Sequence, residues 1–421
     1  LYSDLEYGIG GPEATFRIFE EMLEEKLPEQ KLISRFPQKA VVVDYDKTLN
    51  DRAHRLDQHP EWVNLIIELM KRGRRFVLMS GSKLEGQKKR LNVIIKELMK
   101  QLNIKDISEA TPEQIKTFRE ILKYFGPTYG DGVASRYDLE VDEKGNLIWK
   151  VNKEYTEPHI IPKEHIKIIK DILQQIVDEY NSFSEEEITR LRQSARVPAL
   201  GGTPWSQIPI QPGGASVELR GAYVVKKGDE WIAYEKLEDI PEEDRDKAEY
   251  IVTQLAITGV FVEAIFAYNY VERIKQELQR KGLADQYHVQ HGGSPDGFTI
   301  EVVKIIDGKP ITKETSMINF LETVAAKEGI QPEDVGYWGD EFIKNELGEY
   351  NDYPIYASQH PLVRRIKIFA VNYTYHPYLQ APQELIEEAK KPGSRVLYSD
   401  LEYGIGGPEA TFRIFEEMLE E

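Results

Sequence analysis

The sequence comprises 421 residues, of which 41% are hydrophobic and 30% are charged, and its net charge is −18. These values are typical of a globular protein with a large core. The negative charge argues against nucleic acid or an anionic membrane as the main partner. Cysteine is absent, which excludes disulfides and thiolate metal sites and suits the cytoplasmic location that we expect. The longest apolar stretch, Ala256–Ala267, includes Glu263 and is too short to span a bilayer.

Residues 1–25 recur unchanged as residues 397–421. Identity over 25 positions is not chance, and a 396-residue period is the size of a whole folded protein rather than of a solenoid unit. The sequence does not distinguish a natural tandem duplication from an engineered one. We expect 408–421 to form the closing helix of the fold, with a buried stripe made of Phe412, Phe415, Met418 and Leu419. The copy at 1–25 is then expected to lie exposed or to dock into a neighbouring molecule by domain swapping, with 26–38 as a linker.

A strand–helix–strand unit opens the main part of the chain. Ala40–Val43 is β-branched and apolar, Glu61–Lys71 is an amphipathic helix pattern, and Arg75–Met79 predicts a second strand. Such units build parallel sheets. Residues 83–125 are predicted to be largely helical.

The middle of the chain has a different, more antiparallel character. Asp138–Val151 predicts a hairpin, His165–Tyr180 a helix, and Val197–Gly214 a long Gly/Pro loop that contains Trp205. Strands and one helix are predicted after it, at 215–219, 222–226, 230–234, 260–266 (strands), 269–281 (helix) and 298–303 (strand). The α/β pattern then returns, with a helix at 314–328 and strands at Val335–Trp338, Ile366–Val371 and 395–399.

Polar residues stand at the ends of several predicted strands. Asp44 and Asp46 follow Ala40–Val43 and project to the same side, because side chains alternate along a strand. Two such carboxylates repel each other and call for a cation or a shared proton, although an acidic turn would give the same pattern. Ser80 follows the second strand, and the pair Gly339-Asp340 follows another. In open α/β sheets ligands bind at the carboxyl ends of strands.

Together with Lys313, which precedes a predicted helix, these residues could hold a magnesium ion and a phosphoryl group. Their order resembles the four motifs of the haloacid dehalogenase superfamily of phosphohydrolases. The matching segments are Asp44-Tyr-Asp46-Lys-Thr48, Ser80 after Phe-Val-Leu-Met, Ile-Thr-Lys313-Glu-Thr-Ser-Met-Ile, and Gly339-Asp340. The insert between Ser80 and Lys313 is similar to that family's C2-type cap, which occurs in sucrose-phosphate and trehalose-phosphate phosphatases and in phosphomannomutases.

The resemblance covers roughly residues 38–421 and implies an α/β fold class: a Rossmann-like three-layer parallel sheet core with an inserted α+β cap domain. The division that follows from it is a duplicated N-terminal helix and linker, the first core part, the cap and the second core part, at 1–37, 38–134, 135–308 and 309–421.

By the same resemblance, Asp44 attacks phosphorus and forms an aspartyl phosphate. Asp46 protonates the leaving oxygen and then activates water. Ser80 and Lys313 bind the phosphoryl oxygens. Residues near the substrate would be Thr48 and Gly81 in the core and Trp205, Glu218 and Arg220 in the cap.

The implied cofactor is Mg²⁺, held by Asp44, by Asp340 and by the backbone carbonyl of Asp46. The fourth ligand is open: Asp352 comes twelve positions after Asp340, beyond what resembles an inserted loop, and Glu341 is its rival.

Several positions of these motifs admit a second interpretation. Lys47 stands where the family usually has glycine. Ser80 could also be a helix N-cap, and Lys304 could take the place of Lys313. A GxGG pattern in both copies of the repeat mimics a phosphate loop, although a tight turn explains it better.

The function expected from these motifs is that of a magnesium-dependent phosphomonoesterase acting on a sugar phosphate or a similar small phosphorylated metabolite, with no nucleic-acid or membrane partner. A phosphomutase of the same superfamily would need several arginines or lysines of the cap facing Asp44. A tandem-repeat assembly module with a residual site is the competing function from another class.

Overall fold

The computed structural model describes residues 35–51, 53–187, 199–200, 203–204, 214–260, 264–294, 297–345, 348–372 and 380–421. Its strands are β1 (Ala40–Val43), β2 (Arg75–Met79), β3 (Phe125–Gly130), β4 (Ser135–Val141), β5 (Leu147–Val151), β6 (Ala199–Leu200), β7 (Thr203–Pro204), β8 (Ser216–Lys227), β9 (Glu230–Tyr234), β10 (Glu249–Val260), β11 (Tyr287–Ser294), β12 (Gly297–Ile306), β13 (Lys309–Pro310), β14 (Val335–Gly339), β15 (Phe342–Asn345), β16 (Gly348–Asn351), β17 (Lys367–Ala370) and β18 (Val396–Tyr398).

The α-helices are α1 (Pro60–Lys71), α2 (Leu84–Gln101), α3 (Pro112–Leu122), α4 (Lys153–Thr156), α5 (Lys163–Ser182), α6 (Ala264–Arg280), α7 (Lys313–Asn319), α8 (Tyr353–Ala357), α9 (Gln383–Ala389), α10 (Ser399–Tyr403) and α11 (Gly407–Glu420). A π-helical segment, Phe320–Ala325, continues α7. Short 3₁₀ turns lie at Leu56–Gln58, Ile107–Glu109, Glu157–His159, Leu237–Asp239, Glu242–Lys247, Pro332–Asp334 and Val363–Arg365. None of the described helices combines the length and the apolar character that crossing a bilayer requires.

A parallel sheet forms the centre of the molecule, in the strand order β3-β2-β1-β14-β17-β18. All four residues of β1 are buried, as expected for an apolar strand that is covered on both faces. Helices α1, α2, α3 and α11 pack on one face, and α7, α8 and α9 pack on the other. The predicted α/β fold class with a three-layer core is confirmed.

An antiparallel sheet continues from β3 in the order β4-β5-β9-β8-β10-β12-β11. Its outer part is covered on one face by α5 and α6, whose apolar residues form a separate core with β8, β10, β11 and β12. Hydrogen bonding runs without a break from β3 to β4, so the boundary placed at 134/135 lies inside one sheet. The division of the chain into domains stays a prediction.

Three local predictions need correction. The strand expected at 260–266 is wrong: the strand is β10, and α6 already begins at Ala264. The polar residues Thr253 and Gln254 made β10 difficult to predict from the sequence. In the fold both are buried, and they form hydrogen bonds with Ser135 and Arg220.

Glycine conceals two further strands. The strands expected at 215–219 and 222–226 are the single strand β8, in which a Cβ on Gly221 would lie 1.8 Å from the Ile251 carbonyl oxygen. Glycine therefore marks a close approach of two backbones rather than a break. The region 83–125 is largely helical as expected, and β3, which begins at Phe125, was not predicted, because Gly126 and Pro127 are uncommon inside strands.

The copy of the repeat at 397–421 closes the core, as predicted. Helix α11 buries Phe412, Phe415 and Met418 against α1 and the sheet, and Leu419 is only partly buried. The Phe412 ring stacks on Trp62 with centroids 4.5 Å apart, and Phe415 meets the Trp338 ring edge-on at 5.5 Å. The copy at 1–25 lies outside the described residues.

Candidate active site

Three buried carboxylates converge beyond the carboxyl ends of β1 and β14. Asp44 follows β1 and Asp340 follows β14, while Asp352 immediately precedes α8. One oxygen from each of these residues lies within 4.8 Å of the others. They are 7%, 1% and 0% exposed, so water does little to screen their mutual repulsion.

Lys313, the first residue of α7, supplies a positive charge to this cluster. Its Nζ donates to Asp44 Oδ2 at 2.8 Å and to Asp352 Oδ1 at 2.7 Å. The Thr312 N–H donates to Thr315 Oγ1 at 3.3 Å, which holds the first turn of α7 and with it Lys313. The rival residue, Lys304, instead donates to the carbonyl oxygens of Pro158 and Ile160, away from the cluster.

The electrostatics of the cluster show a surplus of negative charge. Burial raises the pKa of Asp44 to about 7, against the lowering effect of Lys313. Burial also raises the pKa of Asp340 well above its usual range, and repulsion from Glu341, Asp44 and Asp352 adds to the shift. The pKa of Lys313 is raised well above its usual value: burial opposes its charge, but Asp352 and Asp44 favour it more strongly.

The cluster fits a hard divalent cation. Asp340 Oδ2 is buried and accepts no hydrogen bond within the described part of the chain. An oxygen left in this way costs free energy unless a ligand satisfies it. Buried carboxylate oxygens are the ligands that Mg²⁺ takes in proteins, so Asp44, Asp340 and Asp352 could hold such an ion.

The structure brings Asp352, rather than Glu341, into the cluster. Asp352 accepts from the Tyr337 hydroxyl through Oδ1 and from the Glu341 N–H at 2.8 Å through Oδ2. A Cβ at Gly339 would lie 2.3 Å from Asp352 Oδ2, so glycine is required there for the carboxylate to approach. The Glu341 side chain accepts from Lys47 Nζ at 3.1 Å instead.

Lys47 lies in the turn after β1, where the backbone conformation favours glycine. Lys47 has φ 61°, in the left-handed region where glycine fits without strain. This conformation explains why glycine is usual at this position of the motif. The lysine that stands here instead forms an ion pair with Glu341. Thr48, expected near the substrate, is fully buried and donates to Asp340 Oδ1 at 3.0 Å.

Asp46 and Ser80 are joined by an arginine that the motifs did not indicate. Arg90 of α2 donates to Ser80 Oγ at 2.5 Å and to Asp46 Oδ2 at 2.9 Å. The Asp46 side chain is 66% exposed and stands apart from the three-carboxylate cluster. Ser80 is not an N-cap of α2, because that helix begins at Leu84 with Lys83 as its N-cap.

The antiparallel sheet presents a polar face to the loop after β2. Arg220 of β8 donates to the Gly81 carbonyl oxygen at 3.2 Å, and Lys83 pairs with Glu218 at 2.9 Å. Arg220 also donates to Glu218 Oε2 at 3.0 Å and to Glu301 Oε1 at 3.0 Å. Gly81, Glu218 and Arg220 therefore meet beside Ser80, whereas Trp205 lies outside the described residues.

The helix pattern of α2 holds only a partial signal for Arg90. It lies in the run Gln87-Lys-Lys-Arg90, whose charge is typical of an exposed helix surface. Its position falls three after Gln87 and four before Ile94, however, and both of these are buried. A charged residue on a buried stripe was the available signal. Tyr337 gave none, because it continues an apolar strand.

No family model matches the sequence, and no curated protein matches it. Solved structures that resemble the fold include a haloacid dehalogenase-like hydrolase from Bacteroides thetaiotaomicron, 14% identical over 90% of this chain and 99% of that chain, with a TM-score of 0.40. A putative HAD/COF-like hydrolase from Plasmodium vivax is 12% identical over 92% and 98%, with a TM-score of 0.42. The trehalose-6-phosphate phosphatase of Aspergillus fumigatus is 10% identical over 92% and 96%, with a TM-score of 0.38.

Proposed function

We infer that the chain is a phosphomonoesterase of the haloacid dehalogenase type that uses Mg²⁺ and a covalent aspartyl-phosphate intermediate. The observation that carries this proposal is the convergence of Asp44 with Asp340, Asp352 and Lys313 at the carboxyl ends of the central strands. A buried cluster with three carboxylates and one lysine suits a dianionic phosphoryl group only together with a further cation.

The first step would be attack of an Asp44 carboxylate oxygen on phosphorus. An O–P bond forms, the bond from phosphorus to the leaving oxygen breaks, and Asp46 gives its proton to that oxygen. In the second step Asp46 takes a proton from water, whose oxygen attacks the phosphorus and releases Asp44 and inorganic phosphate.

The remaining residues would hold the phosphoryl group. Lys313 Nζ already lies 2.8 Å from Asp44 Oδ2, so it can also contact an oxygen of a group bound to Asp44. The Ser80 hydroxyl would donate to a second oxygen. Bound Mg²⁺, held by Asp44, Asp340 and Asp352, would neutralise negative charge on the phosphoryl oxygens.

The polar face of the antiparallel sheet supports an alcohol leaving group that carries hydroxyls, such as a sugar. Glu218, Glu301 and Gln290 are acceptors and donors suited to hydroxyl groups, and Gln290 Nε2 lies 3.2 Å from Glu301 Oε2. The proposed substrate class is therefore a sugar phosphate.

A phosphomutase is less well supported. It would need cationic residues of the cap for a second phosphate, and Arg220 is the arginine that reaches the loop after β2. Its guanidinium is already bonded to Glu218 and Glu301, which leaves that part of the described surface without surplus positive charge. The site residues also disfavour a pure assembly module, because such a module gains nothing from three converging buried carboxylates.

The test measures phosphate release from a panel of sugar phosphates and from one aryl phosphate, with Mg²⁺ or with EDTA. We expect Mg²⁺-dependent release, and loss of turnover by more than about 10³-fold in Asp44→Asn, which keeps the shape but removes the nucleophile. Glu109→Gln, in an exposed turn, serves as the control. Substantial activity in Asp44→Asn, or equal activity with EDTA and with Mg²⁺, would contradict the proposal.

A further inference from the structure

Arg90 connects two parts of the candidate site that come from different strands. It is 8% exposed, and its guanidinium bonds both Ser80, after β2, and Asp46, after β1. The guanidinium carbon also lies 3.9 Å from the centre of the Tyr45 ring, which fixes the plane of the group. One rigid cation thus sets the distance between a hydroxyl and a carboxylate that are far apart in the sequence.

The bond to Ser80 also sets the role of the hydroxyl. Ser80 Oγ accepts from Arg90 and from the Ser82 N–H at 3.3 Å, so its proton points away from both donors. Ser82 Oγ lies 3.2 Å from Ser80 Oγ, and a phosphoryl oxygen would compete with it for this proton. The bond to Asp46 holds a side chain that is otherwise 66% exposed and would sample several rotamers. A guanidinium can donate five hydrogen bonds, and Arg90 donates two of them to described residues.

We propose that Arg90 is a positioning residue that holds Asp46 in place for proton transfer and turns the Ser80 hydroxyl into a donor toward the substrate phosphoryl group. This role rests on the proposed function. Asp46 is the group that would protonate the leaving oxygen, so the loss of Arg90 affects the chemical step. The loss of Arg90 should slow this step more when the leaving group has a greater need for protonation.

The experiment compares Arg90→Met and Arg90→Lys with the wild-type chain on a sugar phosphate and on an aryl phosphate whose leaving group needs little protonation. In Arg90→Met we expect kcat to fall about 10–100-fold on the sugar phosphate and less than about threefold on the aryl phosphate. Competitive inhibition by inorganic phosphate should weaken about tenfold, because Ser80 loses its orientation. Lys89→Met, at the exposed neighbouring position on α2, is the matched control and should leave kcat, KM and inhibition unchanged.

Arg90→Lys tests the geometry of the contact. A lysine keeps the charge but cannot bridge two acceptors with a planar fork, so it should restore phosphate inhibition more than it restores kcat on the sugar phosphate. If Arg90→Met does not fold, the losses of kcat on the sugar phosphate and on the aryl phosphate are compared in Arg90→Lys instead. A larger loss on the sugar phosphate supports the role of Arg90.

Equal losses on both substrates, or none on either, would overturn the role of Arg90 while the wild-type activity stands. A wild-type chain that releases phosphate from neither substrate would overturn the proposed function and this role together.

Discussion

Two polar clusters of this protein differ in charge balance: one lies at the carboxyl ends of β1 and β14, and the other lies on the antiparallel sheet beside the loop after β2. In the cluster around Asp44, three carboxylates face one lysine, and an oxygen of Asp340 has no partner among the described residues. In the cluster around Arg220, two cations, Arg220 and Lys83, are matched by Glu218 and Glu301. Uncompensated charge costs stability, so the first cluster indicates a site for a cation, whereas the second, whose charges are balanced, needs none.

The second cluster has one exception to its balance, Asp131. It is fully buried in the turn between β3 and β4, accepts from the Tyr137 hydroxyl at 2.5 Å, and leaves Oδ1 without a partner in the described residues. Burial raises its pKa to about 6. A proton, rather than a metal ion, can therefore complete this cluster. Changes at Lys313, Gly339 and Asp131 test the difference between the clusters, and changes at Phe415 and Phe19 test the core beneath the first one.

The largest effect is expected for Lys313→Met. It leaves Asp44 and Asp352 without their cation, which costs about 3–5 kcal/mol when a buried pair is broken. Activity should fall at least about 100-fold. Melting curves with EDTA and with Mg²⁺ check the charge argument, because Mg²⁺ should recover more stability in the variant than in the wild type. Lys304→Met is the control lysine. Equal Mg²⁺ effects in variant and wild type would argue against the surplus of negative charge.

Phe415→Ala and Phe19→Ala test the apolar socket that closes the core beneath the first cluster. The two residues are equivalent positions of the repeat, and Phe415 is fully buried against Trp338. If the copy at 397–421 alone fills the socket, Phe415→Ala should cost about 3–5 kcal/mol and Phe19→Ala almost nothing.

The geometry also allows the copies to exchange, because Gln38 Nε2 lies 3.5 Å from Glu421 Oε2 and Arg35 pairs with Glu402. A small effect of Phe415→Ala that becomes large in the double variant would show that the copy at 1–25 takes over the socket. Mass measurements on the double variant and the wild type then distinguish replacement within one chain from domain swapping between two.

Gly339→Ala should move the Asp352 carboxylate without changing its charge. The added methyl group would collide with Asp352 Oδ2 and push the carboxylate away from Asp44, at a cost of about 1–3 kcal/mol. We expect weaker activation by Mg²⁺, seen as a higher Mg²⁺ concentration at half-maximal activity. Gly282→Ala, in a turn where a Cβ meets nothing within 4 Å, should leave that concentration unchanged. An unaltered response in Gly339→Ala would place Asp352 outside the metal site.

The smallest effect concerns Asp131→Asn. The folded pKa of Asp131 is raised, so folding favours the protonated form, and this contribution is lost as the pH rises through about 6. As the pH rises from 5 to 8, the wild type should therefore lose stability relative to Asp131→Asn, by on the order of 1–3 kcal/mol. Chemical denaturation at both pH values measures this. Asp142→Asn is the control: hydrogen bonds from Asn146 lower the pKa of Asp142, so this residue is ionised in both the folded and the unfolded state above pH 5, and the stability difference from the wild type should not change between pH 5 and pH 8. A stability difference of Asp131→Asn that is independent of pH would contradict the assignment.

Much of the fold was visible in the sequence because it depends on local patterns. The β-branched run of β1, the amphipathic stripe of α1 and the paired turn between β4 and β5 are all where their residues predict them. Errors arose at β3, where Gly126 and Pro127 are uncommon strand residues, at β8, where Gly221 allows a close contact with a distant segment, and at β10, whose polar residues find partners only in the folded chain.

Local patterns were enough to predict that Asp44, Ser80 and Asp340 lie at neighbouring strand ends, since each follows an apolar strand and parallel strands present these ends at one edge. The tertiary structure was needed to show that Asp352 lies with Asp44 and Asp340, because this position depends on the hydrogen bond from the Glu341 N–H and on the space left by Gly339. It alone joined Arg90 to Asp46 and Ser80, and Arg220 to Gly81. Such partners are set by strand register and helix packing between segments up to 139 positions apart, which no local pattern encodes.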